Sequence, residues 1–111
     1  MMRLTVAGAT LITGDVVATL LLDFAAALAS RGLTTTIELR AYTADGVLGR
    51  AMLLLDGRSP MLAIGTDVPL PEPDNSEAVR EMSEELVRML EPASTGSAEI
   101  DIRPYFDDFD L

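Results

Sequence analysis

The spacing of apolar and polar residues divides the chain into short alternating segments and two helix-like segments. Alternation predicts strands at residues 3–6, 10–13, 34–43, 47–55 and 61–64. Apolar residues that recur every three or four positions predict helices over residues 14–31 and from about 75 to 90. A last alternating segment, residues 99–103, predicts a half-exposed edge strand.

Residues typical of helix ends support both helices. Residues 13–15 supply N-cap candidates for the first helix, and Gly32 follows it as a C-terminal stop. Asp74 with Glu77 three residues later matches a capping box for the second helix, and Pro92 ends it.

The segment between the third and fourth strands predicts a tight hairpin turn, because it contains Asp45-Gly46. A three-residue loop would set Arg40 opposite Arg50, whereas a two-residue loop would set Ala41 there. Like charges directly opposed destabilise a sheet, so the pattern favours the shorter loop. The apolar run at residues 52–55 predicts a central strand covered on both faces.

These elements predict an α+β fold, a mainly antiparallel sheet of four to six strands packed with two helices, in the order β(β)-α-β-β-β-α-β. A chain of 111 residues has the length of one domain. We place that domain at residues 1–103, followed by an acidic-aromatic C-terminal tail at residues 104–111.

The first predicted helix is apolar around most of its circumference. Its polar arc includes Asp15, Thr19 and Asp23, and its broad apolar face is suited to a sheet. Because a sheet covers only one side of a helix, the adjoining face of mostly small side chains needs a second contact. We expect a homodimer to bury it, with these residues at the interface: Ala18, Leu22, Ala25 and Ala29.

Missing residue types exclude several kinds of chemistry. The chain has no Cys, His, Trp or Lys, which excludes disulfides, Cys or His zinc sites, Ser-His-Asp triads and Schiff-base lysines. The carboxylates are spread over turns and helix surfaces rather than paired. We therefore expect no catalytic residue, no cofactor and no metal.

The charge balance limits the partners. Eighteen acidic against eight basic residues give a net charge of −10, so nucleic acid and anionic membranes are repelled and basic protein surfaces are attracted. The most apolar segment, residues 16–29, is shorter than a membrane span and contains Asp23. With no signal-peptide pattern, we expect a cytoplasmic protein.

One local segment resembles a known family. Val6-Ala7-Gly8-Ala9-Thr10 followed by Gly14 is similar to the first strand, glycine-rich turn and helix of extended short-chain dehydrogenase-type Rossmann domains. The middle glycine position holds Leu11, and the resemblance ends after about 20 residues. A hairpin rather than a second strand-helix unit follows, so we expect no dinucleotide.

The C-terminal tail contains three of the five aromatic residues of the chain beside three carboxylates. Aromatic side chains supply contact area in partner pockets, and acidic neighbours steer towards basic rims. The predicted partner-binding residues are Tyr105, Phe106, Asp107, Asp108 and Phe109. Two alternatives are that the aromatics complete the core or that the tail is frayed.

The leading functional hypothesis is a small, non-catalytic protein–protein interaction module, homodimeric, that engages a partner through an acidic surface or the C-terminal tail. An alternative is an acidic inhibitor or immunity-type protein that masks a basic surface. A second alternative is a small-ligand-binding domain or enzyme with a pocket between the sheet and the first helix. Its best polar residues are Arg40, Tyr42 and Arg50, provided that they converge in one pocket.

Overall fold

The chain folds into two helices and a five-stranded antiparallel sheet, which a computed structural model describes for residues 1–90. The elements are β1 (Met2–Val6), β2 (Ala9–Thr13), α1 (Asp15–Arg31), β3 (Thr35–Thr43), β4 (Leu48–Leu55), β5 (Met61–Gly65) and α2 (Ser76–Leu90). The predicted α+β class and element order are confirmed as far as α2. The predicted strand at 99–103 and the tail at 104–111 lie outside the described residues.

The strands lie in the order β4-β3-β2-β1-β5. β1 pairs along its whole length with β2 and with β5. β2 pairs with β3 at only two positions, Leu11 with Thr43 and Ile12 with Tyr42, before the chain enters α1. β3 continues beyond that point, paired with β4 on its other side. From residue 35 to 41, β3 therefore has an edge without a strand partner within residues 1–90.

The β3–β4 hairpin has the three-residue loop, the longer of the two loops considered. Arg40 lies opposite Arg50, so the preference for a two-residue loop was wrong. Gly46 adopts a φ of 84°, and its N–H donates to the carbonyl oxygen of Thr43 at 2.9 Å, as three-residue hairpin loops require. Glu38 forms an ion pair with Arg50 at 3.4 Å, which offsets the opposition of the two arginines.

β4 is an edge strand, so its prediction as a central strand was also wrong. Leu53 and Leu55 are buried in the core, whereas Met52 and Leu54 are 63% and 70% exposed on the opposite face of the sheet. An apolar run alone does not reveal whether a second layer covers that face. We call this face, opposite the core, the outer face.

The core lies between the sheet and the two helices. α1 buries side chains along its whole length, and α2 adds three more. The largest fully buried core side chains are Leu4, Leu21, Phe24, Leu39 and Met82. Leu4, Leu39 and Leu53 point to one face of the sheet by register, which places both helices against that face.

The small-residue face of α1 packs against its own chain. Ala18 and Ala25 are buried within the protomer, Leu22 is half-buried and Ala29 is exposed. The turn after β4 covers part of this face, because a Cβ at Gly57 would overlap Ala29 and the Ala25 carbonyl. Gly57 also has a φ of 76°, so a residue without a side chain suits both its contact and its conformation.

The helix ends match the sequence analysis in α1 and differ from it in α2. Gly32 adopts a φ of 64°, and the following N–H, of Leu33, donates to the carbonyl of Leu28 at 3.0 Å. α2 begins one residue later than a capping box at Asp74 would place it. The carboxylate of Asp74 accepts bonds from the N–H and Oγ of Ser76, and Glu77 pairs with Arg80 instead of reaching back.

Candidate functional site

A cleft separates α2 from the unpaired edge of β3. Asn75, just before α2, is bonded to Arg40, and Met89 near the other end of α2 lines a cavity with residues 34–37. α2 therefore runs antiparallel to β3. Two cavities of about 430 and 290 Å³ lie in succession along the strand, and Glu81 borders both. We call these two neighbouring cavities the β3–α2 cleft.

The side chain of Asn75 closes one end of the cleft. Its Oδ1 accepts the N–H of Arg40 at 2.7 Å, and its Nδ2 donates to the Arg40 carbonyl at 2.8 Å and to Thr13 Oγ1 at 3.0 Å. Thr13 Oγ1 also donates to the Arg40 carbonyl at 3.0 Å. The buried amide of Asn75 thus makes the pair of backbone contacts that a neighbouring strand would make.

Two residues of β3 before Arg40 present backbone groups to the cleft without a partner among residues 1–90. The N–H and C=O of Arg40 point away from β4, and these groups alternate sides along a strand, so those of Thr36 and Glu38 point the same way. Within residues 1–90 no hydrogen bond satisfies them. The cleft therefore displays an unused strand edge.

The floor of the larger cavity is apolar and its rim is acidic. Phe24, Leu28, Ile37 and Met89 are the buried residues of the lining. Six carboxylates border the two cavities: Glu38, Asp74, Glu77, Glu81, Glu84 and Glu85. Three arginines accompany them: Arg40, Arg50 and Arg88. Arg80, outside the lining, pairs with Glu77 and Glu84, so the rim together with Arg80 keeps an excess of two carboxylates.

Local hydrogen bonds tune two charged groups near the cleft. Bonds from the Oγ and N–H of Ser76, with a weaker contribution from Arg40, hold the pKa of Asp74 below its ordinary value. The pKa of Arg80 is raised mainly by its hydrogen bond with Glu77, then by the negative charges of Glu77 and Glu84. Both groups are exposed and stay ionised at neutral pH. Asp74 caps the start of α2, and Arg80 forms ion pairs on its surface. Neither residue has a role in proton transfer.

The three polar residues considered for a small-ligand pocket do not converge. Arg40 and Arg50 line the smaller cavity together. Tyr42 is buried, and its hydroxyl donates to the carbonyl of Pro71 at 2.7 Å in the connector that crosses the sheet. The tyrosine therefore anchors the segment between β5 and α2 and does not face a cavity with the arginines.

The residues that resemble a dinucleotide-binding turn have other roles. Gly8, with a φ of 84°, and Ala7 form the turn of the β1–β2 hairpin instead of leading into a helix. Gly14 precedes α1, and the Glu72 side chain lies where a Cβ at Gly14 would stand. A carboxylate beside this helix N-terminus disfavours a phosphate there.

The outer face of β4 is another surface that no element of residues 1–90 covers. Met52 and Leu54 are exposed there, and their backbone groups point to the free edge by the same alternation. Of the predicted interface, only Leu22 and Ala29 retain accessible surface, while Ala18 and Ala25 are buried. The predicted partner-binding residues of the tail lie outside the described residues.

Sequence reasoning missed the β3–α2 cleft. The sequence pattern predicted Asn75 at the start of a helix and residues 34–43 as one strand. It gave no sign that β2 would pair with only part of β3. The sequence showed only that the predicted strand at 34–43 is longer than the one at 10–13, which does not locate Asn75 or α2 beside it.

Neither a metal cluster nor a membrane span occurs in the described part. No group of three acidic side chains there is placed to hold a metal ion. No helix among residues 1–90 is both long and apolar enough to cross a membrane. Compared with known proteins, the chain matches no protein family, no curated protein and no solved structure.

Proposed function

We propose that the chain is a small, non-catalytic protein–protein interaction module that forms a homodimer and binds a partner with a basic surface. The observation that carries this proposal is β4, an eight-residue edge strand with exposed apolar side chains at Met52 and Leu54. Edge strands of monomeric proteins are usually protected by lysine, proline or a covering segment. In β4 the only charged residue is Arg50, and Glu38 partly neutralises it.

A second copy fits this edge better than the small-residue face of α1. Two β4 strands paired antiparallel about a twofold axis would join the sheets and satisfy the outward N–H and C=O groups of both strands. Met52 and Leu54 would then be partly covered by their counterparts. Ala18 and Ala25 are buried in their own protomer, which leaves Leu22 and Ala29 as the accessible residues of that face.

Light scattering at micromolar concentration tests the dimer, with an expected mass of about twice the 11.9 kDa of one chain. Leu54→Glu introduces a charge at the pairing edge and should give a monomer with an unchanged circular dichroism spectrum. Val87→Glu, at an exposed apolar position of α2, is the matched control and should stay dimeric. A monomeric parent chain at these concentrations contradicts the homodimer.

The acidic-inhibitor alternative gains support from the charge distribution around α2. The described residues contain twelve acidic and seven basic side chains, a net charge of −5, and six of those carboxylates border one cleft. A partner that needs its basic surface free would be blocked by docking there. Loss of activity of such a partner on binding, rather than binding alone, would distinguish an inhibitor from a neutral module.

The role of the tail rests on its composition. Deleting residues 104–111 should weaken capture of a basic partner while the helical signal is retained, because Tyr105, Phe106 and Phe109 supply contact area. Global unfolding of the deletion variant would instead assign these aromatics to the core. A cytoplasmic location stays a prediction of the sequence.

A further inference from the structure

We propose that the β3–α2 cleft binds an extended, basic segment of a partner protein as an added strand on β3. This inference rests on the proposed function, since it names the site and the partner chemistry of the interaction module. Strand addition to an open sheet edge is a recurring mode of peptide recognition, in which backbone bonds provide affinity and side-chain pockets provide selectivity.

The backbone geometry matches what an added strand requires. Thr36 and Glu38 each offer an N–H and a C=O to the cleft at a spacing of two residues, which is the spacing at which a paired strand presents its own groups. Asn75 already occupies the next position, at Arg40, and so marks the end of the site. The open stretch from residue 35 to 39 accommodates a segment of about five or six residues, roughly 17 to 20 Å long.

The cavity walls set the side-chain pattern of the segment. Because successive side chains of a strand point to opposite faces, every second residue would enter the larger cavity towards Phe24 and Met89. The intervening residues would face the smaller cavity, which four carboxylates and two arginines border. An alternation of β-branched apolar and basic residues satisfies both sides, since the apolar residues cover the floor and the basic residues meet the carboxylates.

Charge identifies the occupant among the three that such a groove can take. A second copy of the chain carries a net charge of −10. The chain's own residues 91–111 contain six acidic residues and one basic residue, so both of these occupants bring further negative charge to a rim with twice as many carboxylates as arginines. A basic partner segment reverses this repulsion and is steered to the site.

The direct test uses the full chain and a synthetic decapeptide of alternating Arg and Val. Amide hydrogen exchange followed by NMR should show the N–H groups of Thr36 and Glu38 exchanging freely in the chain alone and at least tenfold more slowly with saturating peptide. The same peptide with Glu in place of Arg should give no protection. Protection of both amides without peptide overturns the proposal. Protection that increases with protein concentration would identify a second copy as the occupant, and protection independent of concentration would identify the chain's own C-terminal segment.

A backbone substitution tests strand addition separately from charge. Glu38→Pro removes the N–H that faces the cleft and leaves the bonds between β3 and β4 intact, because Glu38 does not donate to β4. Glu38→Ala removes the same side chain but keeps that N–H. We expect Glu38→Pro to weaken binding of the Arg-Val peptide at least tenfold, and Glu38→Ala about twofold to fivefold. Equal affinities for the two variants overturn strand addition.

The acidic rim is tested by Glu81→Gln, since Glu81 borders both cavities. Binding of the Arg-Val peptide should weaken about twofold to fivefold, as for one partly exposed ion pair. Asp45→Asn, in the β3–β4 turn, is the control and should leave the affinity unchanged. Peptide binding that is insensitive to Glu81→Gln overturns the charge argument. The two proposals are tested independently. Leu54→Glu should abolish the dimer and leave binding of the Arg-Val peptide intact, whereas a dimer that does not bind the peptide would contradict the cleft inference alone.

Discussion

The two helices of this small protein occupy different positions in the fold. α1 buries six side chains on one side of the helix and exposes Val16 and Ala29 as well as its polar arc. α2 buries Ala78, Met82 and Met89 and exposes a surface with four Glu and two Arg. This difference assigns stability mainly to α1. It leaves α2 to carry surface charge and one wall of the β3–α2 cleft.

The largest expected effect is that of truncating the centre of α1. Phe24→Ala removes the largest fully buried side chain of the core and should destabilise the protein by about 3–5 kcal/mol. The corresponding truncation on the exposed side of α2, Val87→Ala, should change the free energy of unfolding by about 0.5 kcal/mol or less. Urea unfolding measures both, and similar losses would remove the distinction between the helices.

Enlarging a small residue of α1 sharpens the comparison. Ala18 is fully buried in its own protomer, so Ala18→Leu overpacks the core and should cost about 1–3 kcal/mol. Ala26 lies on the exposed polar arc, and Ala26→Leu should cost about 0.5 kcal/mol or less. If the small face were free for a partner in solution, Ala18→Leu would be tolerated like Ala26→Leu and would alter the oligomeric state instead.

The side-chain amide of Asn75 joins the start of α2 to β3. Asn75→Ala leaves the N–H of Arg40 without its partner and the Arg40 carbonyl with only the bond from Thr13 Oγ1, and should cost about 1–3 kcal/mol. Asn75→Asp keeps the acceptor and loses the donor, so it should fall between the parent chain and the alanine variant. Thermal unfolding measures the loss, and faster exchange of the Arg40 amide localises it. An unchanged Arg40 amide would contradict the strand-like role of Asn75.

The element order was predictable because local signals agree with the fold. Alternation, an Asp-Gly turn and Gly32 after α1 all act within a few residues, so they can be read directly from the chain. The hairpin register was misjudged because the diagonal ion pair from Glu38 to Arg50 is a cross-strand contact that only the register itself creates. Local patterns cannot weigh that contact before the pairing is known.

The candidate site was beyond prediction for a related reason. The cleft exists because β2 leaves β3 after Ile12 and because Asn75, 62 residues from Thr13, returns to fill part of the gap. Neither event has a local signature. The polar candidates read from the strand pattern, Arg40 and Arg50, do border the smaller cavity, whereas Tyr42 anchors the connector. The acidic face of α2 was visible in the sequence, but what it faces was not.

The smallest expected effect concerns the start of α2. The pKa of Asp74 is lower in the folded state than in the unfolded chain, mainly because Ser76 donates to its carboxylate, so the ionised form stabilises the fold above the unfolded pKa of about 3.9. That contribution is lost as the pH falls through the lower, folded-state pKa. Asp74→Asn should therefore lower the melting temperature slightly at pH 7, and the difference from the parent chain should vanish as the pH falls below 4.

A double substitution identifies the cause of that effect. With Ser76→Ala the donors are reduced to one backbone N–H, so adding Asp74→Asn should cost less than it does in the parent chain. A loss that is the same with and without the Ser76 hydroxyl would assign the effect to the remaining backbone N–H or to Arg40 across the cleft, and weakening of that loss by added salt would identify Arg40. In that case the start of α2 would be held by charge across the cleft more than by its own capping bonds.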